Sequence, residues 1–131
     1  MKFLFAMVLS LIALNLVWGQ DGLSSDPEIR KAQIAVYRES HTREGKQYDA
    51  TIGKEFQQKY ASVVHDCGKQ TKDRTPFTIY AEVAEDGHVE NALLDPATPI
   101  DTCVQKIMLK DAFSRPPKAG YWVQITVELR K

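Results

Sequence analysis

The stretch FTIYAEVAEDGHVENALL, residues 77–94, decides the fold. Phe77, Ile79, Ala81 and Val83 alternate with Thr78, Tyr80 and Glu82. Period two is the pattern of a half-buried strand, because successive side chains point to opposite faces. Glu85-Asp86-Gly87-His88 reads as a turn, with Asp-Gly as its strongest signal. Val89 to Leu94 then returns as a second, antiparallel strand, and Asp95-Pro96-Ala97 ends it.

Downstream of this hairpin, Thr98, Pro99 and Asp101 supply a cap, a first helical residue and an acid in the first turn. Ile100, Cys103, Val104, Ile107 and Met108 line the inner face of the helix that follows. Residues 115–120 form a stiff loop. In the closing strand Val123, Ile125, Val127 and Leu129 alternate with Gln124, Thr126 and Glu128. Upstream, Ile52, Phe56, Tyr60, Val63, Val64 and Cys67 make one helical stripe, with Asp49 as its expected cap and Gly68 as its stop. Gly45-Lys46-Gln47 is expected to interrupt helix. A further helix begins at Asp26-Pro27 and runs to about Thr42, with Ile29, Ala32 and Val36 at helical spacing.

The order is therefore α-α-β-β-α-β. The fold class is α+β, with helices on one face of a small three-stranded antiparallel sheet. Cys67 and Cys103 fall on inward helix faces that cover the same side of it. The expected divisions are 1–19 as an export signal, 20–48 as an N-terminal helical extension and 49–131 as the α+β domain.

The export signal is read from Met1-Lys2 and from the uncharged, apolar run Phe3 to Trp18, with cleavage after Gly19. Those residues span roughly 24 Å as a helix, short of a hydrocarbon core of about 30 Å, so no permanent anchor is expected. Localisation after cleavage is periplasmic or secreted. An oxidising compartment favours an intramolecular bond between the only two cysteines, worth roughly 3–4 kcal/mol. A free thiol and an intermolecular bridge are the alternatives.

The whole chain has 131 residues, 17 basic and 17 acidic. Lys2 lies in the signal, so the mature part carries 16 basic against 17 acidic side chains. Such balance does not suit a nucleic-acid binder. The composition, 44% hydrophobic, is too apolar for wholesale disorder.

The stretch from about Tyr60 to Leu129 resembles the C-terminal domain of TonB and is closer to the AgmX/PglI C-terminal family. The residues that carry this are Cys67 late in a helix, the strand Phe77 to Val83, Gly87-His88-Val89, Leu93-Leu94 and Cys103-Val104. Phe113, Pro116-Pro117, Gly120 and the strand Val123 to Leu129 complete it. The resemblance implies a Gram-negative periplasmic setting. It also implies action by contact, in which an exposed strand pairs with an extended peptide of a partner. TonB itself has a permanent anchor and a long proline-rich spacer. Residues 20–25 are no spacer, so a stand-alone copy of the fold is expected rather than an energy transducer.

No catalytic site, metal site or cofactor is assigned. His41, His65 and His88 form no metal-binding spacing. No nucleophile elbow, phosphate loop or dinucleotide fingerprint is present. The expected partner surface is the last strand, through Tyr121, Trp122, Gln124 and Thr126. Unpaired strand edges capture peptides, and Tyr and Trp anchor contacts. The competing arrangement places Trp122 beneath the first helix, which then covers the edge or mediates a dimer. Three functions remain open. The first is a non-enzymatic module binding another envelope or secreted protein. The second is an immunity or inhibitor protein neutralising a toxin or hydrolase. The third is a small hydrolase using Asp66, Asp101 or His65.

Overall fold

The computed structural model describes residues 22–130. The export signal expected over 1–19 lies outside them. Helix α1 spans Pro27–Ser40, α2 Arg43–Gly68 and α3 Pro99–Met108. Strands β1 (Phe77–Val83), β2 (Val89–Asp95) and β3 (Tyr121–Val127) form one sheet in the order β2-β1-β3. Both pairings are antiparallel, with Tyr80 opposite Leu93 on one side and Gln124 on the other. The α-α-β-β-α-β order and the α+β class hold as the sequence indicated.

Each helix begins where a side chain can accept from free backbone amides. Asp26 accepts from the amide of Glu28 at 2.9 Å, with Pro27 at the first helical position. At α3 the capping is reciprocal. The amide of Thr98 donates to Asp101 Oδ1 at 2.6 Å, and the amide of Asp101 donates to Thr98 Oγ1 at 3.3 Å.

Helix α2 corrects two expectations. Its cap is Thr42, whose hydroxyl accepts from the amide of Gly45 at 2.9 Å, and not Asp49. The segment Gly45-Lys46-Gln47 is helical rather than a break. Gly45 stands there for space. A Cβ on it would fall into the carbonyl oxygen of Glu39 and close on the hydroxyl of Tyr121. The boundary drawn between residues 48 and 49 therefore falls inside one continuous helix. The stripe gains a turn, with Tyr48 buried four residues before Ile52.

Beneath α2 and α3 lie Phe77, Ile79, Ala81, Val83, Ala92, Tyr121 and Val123 from one face of the sheet. Tyr60 stacks on Phe56 with ring centroids 4.9 Å apart, and Phe113 closes the far end of the cluster. Burying side chains of this size stabilises by roughly 1.5–3 kcal/mol each. Cys67 and Cys103 are bonded, tying the end of α2 to the middle of α3. That was the expected intramolecular pairing, and no cysteine is left free.

The placement of helices on one face holds for α2 and α3, while α1 takes the opposite face. Ile29, Ala32 and Val36 pack there on Tyr80, Leu93 and Trp122. Tyr80 and Trp122 are aromatic residues at the positions read as outward-facing. Burial of both faces explains why β1, in the centre, has no exposed position.

Candidate functional site

A three-stranded sheet has two edges, and this one seals them unequally. On the β2 side the amide of Val89 donates to the carbonyl of Asp111 at 3.2 Å. The side chain of Gln105 in α3 donates to the carbonyl of Ala92 at 2.6 Å. The amide of Phe113 meets the carbonyl of Gly87 at 2.8 Å, so segment 111–113 lies along the start of β2 and its turn. Gly87 adopts φ +96°, and the carbonyl oxygen of Phe113 occupies the place that a Cβ would take.

Among the described residues, the β3 side carries one seal. The amide of Trp122 donates to Glu39 Oε2 at 2.7 Å, and Glu39 Oε1 pairs with the ammonium of Lys118 at 2.9 Å. Glu39 is buried, so α1 places an acceptor where a neighbouring strand would have supplied one. Along an antiparallel strand, a residue's N–H and C=O share one direction, which alternates from residue to residue. Since Trp122 faces away from β1, Gln124 and Thr126 do so too. Both side chains are exposed, and among the described residues neither backbone amide meets a partner.

Beside this open stretch runs a groove of about 290 Å³. Ile52, Gly53 and Phe56 of α2 form one wall, Val36 of α1 lies opposite, and Val123 to Thr126 form the base. Asp49 and Gln57 stand on the α2 wall as its polar members. Asp49 Oδ1 accepts the hydroxyl of Tyr121 at 3.0 Å. Burial raises the Asp49 carboxyl above its ordinary range. The Tyr121 hydrogen bond opposes that rise, and the negative charge of Glu39 adds to it.

The four residues expected to bind a partner divide into two kinds. Tyr121 is core, a correction to that expectation. It is 2% exposed, its hydroxyl also donates to the carbonyl of Gly45 at 3.2 Å, and its ring meets Tyr48 edge-on at 4.9 Å. Burial pushes its phenol well up from the usual range. Trp122 is also not a free anchor, because it is half-buried under α1. Gln124 and Thr126 remain on the open edge, with Thr126 Oγ1 at 3.1 Å from Thr78 Oγ1. In the sequence alone, the groove residues Val36, Asp49, Ile52 and Phe56 read only as helix stripe and cap. Their signal was the coincidence of that stripe with a strand that ends the sheet.

The candidates for catalysis lie in ordinary settings. Asp66 is exposed and paired with Lys69 at 3.3 Å. Asp101 is buried in the cap of α3, and desolvation raises its carboxyl despite hydrogen bonds from Thr98 and Thr102. His65 is exposed, His88 meets Asp86 at 3.1 Å, and His41 sits on the carbonyl of Tyr37 at 2.6 Å. Among the described residues no group of three or more His, Cys, Asp or Glu comes together to hold a metal.

No family model matches the chain, and no curated protein or solved structure matches it either.

Proposed function

We propose that the chain is an exported, non-enzymatic binding module that takes an extended segment of another envelope or secreted protein onto the free edge of β3. The observation that carries this is the pair of outward amides at Gln124 and Thr126 beside a groove walled by Ile52, Phe56 and Val36. Strand addition supplies main-chain hydrogen bonds for affinity and side-chain pockets for selectivity. The resemblance to TonB-like C-terminal domains adds weight, because those act through an exposed strand. Export is supported by the disulfide, which suits an oxidising compartment. Among the described residues no helix is long and apolar enough to cross a membrane.

Two variants test it. Gln124→Pro removes an outward amide without touching a bond to β1. A proline at Ile125 would instead break the sheet, since that amide faces β1. Gly53→Leu fills the groove from a position where a Cβ meets nothing within 4 Å. The mature protein is used as bait in an envelope extract, with bound proteins quantified by mass spectrometry. A partner captured by the wild type and lost with both folded variants supports the edge. A partner retained equally by both overturns it.

A further inference from the structure

We infer that the segment taken up by this edge carries a lysine or arginine where it passes Asp49. The inference rests on strand capture at β3 and names the chemistry that the groove selects.

Among the described residues, Asp49 is the only ionisable side chain that lines the groove. Its Oδ1 is engaged by Tyr121, and its Oδ2 has no hydrogen-bond partner among the described residues. No lysine, arginine or histidine among them lies within ion-pair distance of it. The neighbouring carboxylate, Glu39, is already matched by Lys118. Asp49 is half-buried, and its second oxygen stays open to the groove, where a cation of the incoming segment can meet it.

The walls fit the stem of such a cation. Asp49, Ile52, Gly53 and Phe56 follow one another at helical spacing on one stripe of α2. Gly53 adds no side chain to that stripe, and a Cβ there would meet nothing within 4 Å, which leaves a notch in the wall. A residue of an added strand opposite Val123 directs its side chain to the same face as Val123, toward α2. A long aliphatic stem can then lie along Ile52 and through the notch, while its charged head reaches Asp49. Residues on alternate positions of the added strand turn to the other face, toward Val36 of α1. The occupant is therefore an extended, mainly apolar segment with one cation.

The test uses synthetic capped heptapeptides of alternating valine and threonine, whose central residue is lysine, norleucine or glutamate. Binding to the full mature protein is measured by fluorescence anisotropy at neutral pH, alongside Asp49→Asn. That variant keeps an oxygen for Tyr121, and its fold is checked by circular dichroism. The expected result is that the lysine peptide binds about tenfold tighter than the norleucine peptide. Asp49→Asn should make the two equal, and the glutamate peptide should bind weakest to the wild type. Equal affinity of the lysine and norleucine peptides for the wild type, or a lysine preference that survives Asp49→Asn, overturns the cation and leaves strand capture standing. Failure of every peptide to bind overturns both.

Discussion

Reducing the Cys67–Cys103 bond should cost the domain a large part of its stability without unfolding it under native conditions. The bond joins positions 36 apart in sequence. The chain-entropy relation for a loop of that length gives about 4 kcal/mol at room temperature. The native side of the balance changes little, since α2 and α3 also meet through Tyr60, Ile100, Val104 and Met108 in one cluster. Small domains unfold with about 5–15 kcal/mol, so the reduced protein should remain folded in buffer. With a urea dependence of about 2 kcal/mol per molar, the midpoint should fall by about 2 M. The assay is urea denaturation followed by far-ultraviolet circular dichroism, with and without reductant, on the same preparation. A shift below about 0.5 M at unchanged slope would refute the reasoning. It would mean that residues 67–103 are already ordered in the denatured chain.

Two glycines of α2 should respond in opposite directions to alanine. Gly45→Ala drives a methyl group into the carbonyl of Glu39 and should cost about 1–3 kcal/mol. Gly53→Ala meets nothing and should stabilise by up to about 1 kcal/mol through helix propensity; thermal unfolding of both separates them, and equal shifts would refute the tight α1–α2 junction. Acid unfolding should depend on Asp111. Burial raises its carboxyl, but hydrogen bonds from Tyr60, Ala112 and Lys59 outweigh that and hold it below the ordinary value. Its contribution is present above the unfolded pKa of about 3.9 and is lost as pH falls through the lower folded value. Urea midpoints measured from pH 5 to pH 2 should therefore fall less steeply in Asp111→Asn. Asp101 acts in the reverse sense, because its folded carboxyl is raised. Its contribution is full below the unfolded value and declines as pH rises through the folded one, so Asp101→Asn should lose less stability over that rise than the wild type.

The hairpin was legible because alternation and Asp-Gly are local signals, and because β1 and β2 pair across a short turn. The helix caps at Asp26 and Thr98 were legible for the same reason. The start of α2 was not. A glycine reads as a breaker until its neighbour in space is known, and Glu39 and Tyr121 are six residues upstream and 76 residues downstream of Gly45. Tyr121 opens an edge strand, where an aromatic residue suits a partner surface as well as the core. Its two-residue phase with the inward-facing Val123 is the sequence signal that it belongs to the core. The placement of α1 depended on Tyr80 and Trp122, aromatics in the polar register of their strands. They indicate a second covered face once they are read together with the apolar stripe of α1.

The cross-link sits wholly in the layer formed by α2 and α3, and none secures α1. The protein is thus built as a stapled half and a clasped half. The clasp consists of the contacts of Ile29, Ala32 and Val36, the hydrogen bond from Gln33 to the Tyr80 hydroxyl, and the Glu39 bonds to Trp122 and Lys118. Partial opening should begin there, so α1 amides should exchange with deuterium ahead of those in α2 and α3. Each such excursion would lengthen the bare margin of the sheet by one more amide, that of Trp122.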